Sequence, residues 1–232
     1  MFINFGDIPG NQNLFLDYIY EFENVQEYYK HNFRNKDSYV NLFKSISASR
    51  KDKQYNLSAI INNQYSSLQS ISNKTVRNIE LIDKEKTITV VTGQQLGILG
   101  GPLYTIYKII TAIRLANQLT ERYDEFKFVP VFWLEGDDHD FNEVRSINLF
   151  DNENQVINIG YKEEINDDDA KQSIGKITFD EALNEFFSKY ESSLRDSDFK
   201  IELLTKLKEC YQVGKTFKQS FKEKNWFYNY II

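Results

Sequence analysis

The residues best equipped for chemistry fall in two short stretches. One is Glu135-Gly136-Asp137-Asp138-His139-Asp140-Phe141, where an imidazole sits among carboxylates. That combination suits proton transfer, with His139 as general acid or base and Asp138 or Asp140 orienting it. The bland alternative is a solvated acidic loop. Neighbouring residues cannot all point at one ion, so no metal site is expected. The other stretch is Thr92-Gly93-Gln94-Gln95-Leu96-Gly97-Ile98-Leu99-Gly100-Gly101-Pro102. Four of the chain's 10 glycines stand in it. Such crowding implies either a tight connection between elements or a backbone that a ligand approaches closely. In the second case the N–H groups opening the next helix would face an anion or a nucleotide, helped by the helix dipole. Gly93, Gln94, Gln95, Gly97, Gly100 and Gly101 are the candidate binding residues, with Lys108 further along that helix. The spacing G-x-x-x-G-x-x-G-G matches neither the dinucleotide fingerprint nor the P-loop.

Three other features carry less. His31 lies in a polar break without a second metal-ligand type at a useful spacing. Cys210 stands near the end of a helical pattern and reads as a buried, inert thiol. Gly214-Lys215-Thr216 resembles the end of a P-loop, but the upstream glycine and a leading strand are absent.

The elements that must position the two stretches follow from periodicity. Thr87 to Val91 is a β-branched run that predicts a buried strand. Pro102 suits the first position of a helix. Leu103, Ile106, Ile109, Ile110 and Ile113 then repeat at helical spacing to about Leu119. Phe126 to Leu134 predicts a second strand, although Pro130 confines it to a sheet edge, a strand start or a bulge. Strand, crossover helix and strand make one right-handed βαβ unit. Both stretches then follow the carboxyl ends of parallel strands, the edge where open α/β sheets bind ligands.

Composition bounds the rest. At 232 residues with 41% hydrophobic and 27% charged residues, the chain is of soluble globular type, with room for one large or two modest domains. A net charge of −6 without a basic patch argues against nucleic acid as a partner. No apolar run is long enough to cross a bilayer, and the N-terminus lacks the pattern of a signal peptide. One cysteine forbids an internal disulfide and fits a cytoplasmic location.

Taken in order, residues 1–86 form a mainly helical segment. It has a short strand or extended arm over 1–12 and helices over Asn13–Lys30, Ser38–Ser49 and Leu57–Ile71, with a charged break at Arg50-Lys51-Asp52-Lys53. Residues 87–143 hold the βαβ core. Residues 144–213 hold an inserted hairpin, Val144–Phe150 with Gln155–Tyr161, then an acidic loop over Glu163–Ser173. A helix over Phe179–Leu194 opens on a capping box made by Thr178 and Glu181, and another covers Asp198–Tyr211. Residues 214–232 end on an aromatic run, as a docked strand or an interrupted reading frame would.

The block Thr92-Gly93-Gln94-Gln95-Leu96-Gly97 with Gly100-Gly101-Pro102-Leu103-Tyr104-Thr105-Ile106-Tyr107-Lys108 has a counterpart later in the chain. That counterpart is Pro130-Val131-Phe132-Trp133 with Asp138-His139-Asp140-Phe141. Together the two blocks closely resemble the bacillithiol biosynthesis cysteine-adding enzymes, a family of cysteine ligases, and the likeness extends to about Phe217. The resemblance implies a Rossmann-like core similar to class I nucleotidylyltransferases. It implies joining of L-cysteine to the amino group of glucosaminyl-malate, with ATP or another nucleotide activating the cysteine carboxylate. It also implies a homodimer through a C-terminal coiled coil, which this chain lacks. Two departures stand out. Position 137 is Asp where the family more often has Glu. Family members are also much longer, so this chain is expected to be an N-terminal fragment with an incomplete sheet. The alternatives are another nucleotide-dependent, nucleotidyltransferase-like enzyme or a non-catalytic fragment.

Overall fold

A computed structural model describes residues 3–29, 31–50, 56–66 and 71–222. The chain divides into two compact units, Met1–Tyr55 and Asn56–Ile232.

In the first unit the expected arm is instead a 3-10 turn at Phe5–Asp7, closed by the Asn4 side chain accepting from the Gly6 N–H. Helix α1, Asn13–Tyr20, is shorter than its apolar pattern predicts. Asn24 donates to Asp17 Oδ1 at 3.1 Å and to Glu21 Oε2 at 3.0 Å, which draws the next residues into a 3-10 turn at Phe22–Asn24. The rings then pack together, with Tyr18 against Phe22, Tyr29 and Phe33. Helix α2 is Lys36–Arg50. The charged break after Arg50, the end of the third expected helix and the aromatic terminus all run outside the described residues.

The second unit opens with α3, Leu57–Tyr65, whose first N–H groups are taken by Asp83, Oδ1 from Leu57 and Oδ2 from Ser58, both at 3.1 Å. Helix α4, Asn73–Leu81, was not expected, although Ser72 caps it through the Thr75 N–H. Strand β1, Thr87–Gln95, pairs in parallel with β2, Lys127–Glu135. Helix α5, Leu103–Arg122, joins them, with Pro102 one residue ahead of the helix rather than in it. One face of the sheet is covered by α3 and α4, where Ile79 and Ile82 pack on a fully buried Val129. A single helical turn, α6 (Phe141–Val144), follows β2. The antiparallel hairpin β3 (Ser146–Phe150) and β4 (Val156–Gly160) comes next, as the alternating pattern predicts. The fold is thus α/β, as expected, and the sheet among the described residues has two strands.

The remaining helices among the described residues are α7 (Ala182–Ser193), α8 (Lys200–Cys210) and α9 (Phe217–Lys222), and Cys210 is buried, as expected. The capping box of Thr178 and Glu181 does not form. Residues 177–179 are drawn instead into extended pairing, the Phe217 N–H donating to the Ile177 carbonyl and the Phe179 N–H to Lys215. Asp180 accepts the Ala182 N–H in place of the threonine.

Phe179 lies at the centre of the core of this unit, only 1% exposed. Its ring centroid lies 4.3 Å from that of Phe217, 5.1 Å from Tyr161 and 5.6 Å from Tyr211. Tyr161 donates to Asp180 and accepts that residue's N–H, both at 2.8 Å, and burial pushes its phenol pKa well up. Phe179→Ala is expected to cost about 3–5 kcal/mol, read as a lowered urea midpoint. A loss below about 1 kcal/mol would mean that this aromatic cluster is not the centre of the core.

Candidate functional site

The end of the β1–β2 ladder builds the candidate site. Gly93 pairs with Trp133, Gln94 with Leu134 and Gln95 with Glu135, and the Leu96 N–H donates to the Glu135 carbonyl at 3.0 Å. Both chemistry-bearing stretches therefore leave the sheet at one rim. Gly93, Gln94 and Gln95 belong to the strand, not to the turn predicted for them. The ladder holds the backbone extended that far because Gly93 allows its neighbour to come close. A Cβ on Gly93 would stand 2.7 Å from the Trp133 carbonyl oxygen.

Across the rim the Gln95 amide donates to Asp138 Oδ2. Lys108 reaches back from α5, its ammonium donating to Gln94 Oε1 at 2.9 Å and to the Gly93 carbonyl at 3.3 Å. The same ammonium lies 4.9 Å from the centre of the Tyr104 ring.

The glycine loop proper begins at Leu96. Leu96 and Ile98 are buried in the core and anchor it. Between them and α5 the chain doubles back so tightly that a Cβ on Gly97 would stand 2.7 Å from the Gly101 Cα. Leu99 is held at φ 53, a left-handed conformation that costs a leucine about 1–2 kcal/mol. Close backbone packing thus accounts for Gly97. Two features go beyond a tight connection. No side chain caps α5; the Thr105 N–H donates to the Pro102 carbonyl at 2.9 Å, and the Leu103 and Tyr104 N–H groups have no partner among the described residues. The Thr105 hydroxyl is buried beneath the loop without a hydrogen-bond partner among the described residues.

In the acidic stretch Glu135, Asp138 and Asp140 each accept main-chain N–H groups. Asp138 Oδ1 accepts the His139 N–H at 2.6 Å and the Asp140 N–H at 3.2 Å. The Asp140 and His139 N–H groups, with the Gln95 amide, hold the Asp138 carboxyl below its usual range. Asp140 caps α6, accepting from Asn142 at 3.1 Å and Glu143 at 3.3 Å. Glu135 is lowered likewise, by the Asp137 N–H and then by the Trp133 indole. His139 is exposed, and its ring, close enough to Asp138 to add to the lowering of that carboxyl, is hydrogen-bonded to neither aspartate and neither glutamine. The structure thus brings Gln95 to Asp138 and Lys108 to Gln94, and it leaves the imidazole facing solvent at the rim. Among the described residues no cluster of three or more His, Cys, Asp or Glu is arranged to hold a metal.

Residues 173–176 were not singled out from sequence, yet they brace this loop. Ile174 N–H donates to the Asp138 carbonyl and Gly175 N–H to the Gly136 carbonyl, both at 2.9 Å. A Cβ on Gly175 would stand 2.8 Å from the Gly136 oxygen, so a glycine following a polar loop was the one available signal. Among the described residues a cleft of about 430 Å³ lies apart from the rim, between α7 and α8.

Comparison with known proteins gives a consistent result. The family model described as "Bacillithiol biosynthesis BshC, N-terminal Rossmann-like domain" matches residues 1–228. Curated relatives bear the name "Putative cysteine ligase BshC". The one from Chloroherpeton thalassium is 32% identical over 197 residues, covering 85% of this chain and 34% of the relative. Those from Salinibacter ruber and Natranaerobius thermophilus are 27% and 31% identical, covering 90% and 92% of this chain. This chain spans 34%, 37% and 39% of the length of these three relatives.

The depressed carboxyl of Asp138 sets a pH dependence. Its stabilising contribution is present above the unfolded carboxylate value of about 3.9 and is lost as pH falls through the lower folded value. The backbone amide resonances of His139 and Asp140 should therefore titrate with a midpoint below about 3.9, and Asp138→Asn should abolish that titration. A midpoint at or above the ordinary value would dissolve the proposed hold on the loop.

Proposed function

The chain belongs to the bacillithiol biosynthesis BshC family through its N-terminal Rossmann-like domain, and on that premise we propose that it carries the reactant-binding rim of a cysteine ligase. The reaction is formation of an amide between the carboxyl of L-cysteine and the amino group of glucosaminyl-malate, in the cytoplasm. The observation that carries the reading is the hydrogen bond from Gln95 to Asp138, which ties two loops far apart in sequence into one surface.

Amide formation requires an activated carboxyl group and removal of a proton from the attacking amine. The open N–H groups of α5, the Lys108 ammonium and the Gln94 amide suit an anionic group, whether a carboxylate or a phosphate. These residues, with the buried Thr105 hydroxyl, fit a nucleotide such as ATP. When bound, it would supply the activation of the cysteine carboxyl. Gln94 and Gln95 hydrogen-bond to phosphate but cannot protonate it.

His139 takes the amine proton. It is exposed at the rim, and its side chain makes no hydrogen bond to the loop backbone, unlike those of Glu135, Asp138 and Asp140. Asp138 is a positioning residue, since a carboxylate with a lowered pKa is a weak base. Asp140 positions the loop from the other side by capping α6.

Of the two tryptophans, Trp133 stands at the rim, so a Trp226→Phe background leaves one reporter. In that background, titration with ATP or glucosaminyl-malate should change the indole fluorescence. Lys108→Ala should weaken the response at least about tenfold, as loss of a charge-assisted hydrogen bond predicts. His139→Ala should leave binding intact while slowing amide formation, followed by product mass, by about 10²–10⁴-fold. No fluorescence response to either reactant, or an unchanged rate in His139→Ala, would sink this assignment.

A further inference from the structure

The rim has two sides. Successive side chains of a strand point to opposite faces of its sheet. Val129 is fully buried under α4 with Val131 packed beside it, so the odd residues of β2 face α3 and α4. The register carries that face on to Trp133 and Glu135 and, across the ladder, to Gly93 and Gln95. Gln94 takes the opposite face, where Lys108 of α5 meets it. The anion-binding groups of α5 and the link from Gln95 to Asp138 therefore stand on different sides of one sheet edge.

On the second side Trp133 is 65% exposed, yet its ring is held. The indole N–H donates to Glu135 Oε2 at 3.1 Å, and Glu135 Oε1 accepts the Asp137 N–H at 2.9 Å. Its partner on β1 is Gly93, so no side chain stands across from the ring on the neighbouring strand. With its one polar atom satisfied, the indole has only its apolar face to offer. Polar atoms stand on the same face of the sheet, in the Glu135 carboxylate and the Gln95 amide. No Lys or Arg pairs with Glu135 or Asp138 among the described residues, so this side repels phosphate and suits a cation.

We propose that Trp133 is the sugar-binding residue of the rim. The hexosamine ring of the amine-bearing reactant lies on its indole, with amine and hydroxyl groups hydrogen-bonded to Glu135 and Gln95. This rests on the ligase reading above and adds which side of the rim takes which reactant. The carbon-bound hydrogens along one face of a pyranose meet the negative face of the indole, which also attracts an ammonium group. A nucleotide phosphate belongs on the other side, with Lys108 and the start of α5. The division also brings the amine to the group that takes its proton. Asp138 meets Gln95 on the Trp133 side, and the His139 ring stands close enough to Asp138 to help lower its carboxyl.

The test uses the 232-residue chain with glucosaminyl-malate and, separately, ATP. Saturation transferred from the protein in NMR should reach the ring protons of the sugar more strongly than the malate protons. Trp133→Ala, checked as folded by circular dichroism, should weaken glucosaminyl-malate at least about tenfold and change ATP binding by less than about twofold. Glu135→Gln keeps an acceptor for the indole but removes the charge, and should weaken glucosaminyl-malate alone. Unchanged glucosaminyl-malate affinity in both variants, or saturation confined to the malate protons, would overturn the inference and leave the ligase reading standing. Loss of ATP binding in Trp133→Ala would mean that the ring stacks on the nucleobase instead. A chain that binds neither reactant would end the ligase reading, and this inference with it.

Discussion

The parallel ladder between β1 and β2 is the constraint on which the rest depends. Parallel strands cannot be joined by a tight turn, so a crossover is obligatory, and α5 supplies it. The crossover puts both chain exits at one end of the sheet. The register, carried as far as Gln95 opposite Glu135, then decides which side chains meet. A shift of one residue would turn Gln95 to the other face and separate it from Asp138. The link across the rim is therefore a consequence of backbone pairing and not an independent design.

Close backbone approach has a recurring solution here. Gly93 lies against Trp133, Gly97 against Gly101, and Gly175 against Gly136, and in each case a methyl group on the first would collide with main-chain atoms of the second. These contacts bind the rim to the core beneath it. Leu96 and Ile98 enter that core directly, Phe132 stacks on Phe221 at 6.0 Å, and Phe141 meets Tyr161 and Phe217 edge-on. A loop seated in this way is held by the burial of several large apolar side chains, each worth about 1.5–3 kcal/mol. Its position owes little to the acidic residues it displays.

What was legible in the sequence was whatever depends on local pattern. The strand at Thr87, the α5 stripe, the second strand and the hairpin all carry periods that only one geometry satisfies. Thr92-Gly93-Gln94-Gln95 reads as turn chemistry, because the sequence does not show that a partner backbone lies close enough to need a glycine in a strand. Thr178 and Glu181 have the spacing of a capping box, but pairing with a segment around Thr216 takes the chain elsewhere. That competition is tertiary, and no local rule contains it. Helix α4 is different, since its Ser72 cap and the spacing of Val76 and Ile79 are local signals.

The acidic stretch shows how far residue type alone can mislead about roles. From sequence, His139 amid aspartates suggests an imidazole held by a carboxylate. In the fold, Asp138 and Asp140 spend their oxygens on main-chain N–H groups, the more economical use of a short acidic side chain beside a turn. Accepting those bonds lowers the Asp138 pKa and so removes it as a base near neutrality. The aspartates thereby fix the path of the backbone that presents the ring, and Gln95 couples that path to the sheet. A ring on a backbone fixed in this way, itself hydrogen-bonded to none of its neighbours, can take its orientation from whatever binds at the rim.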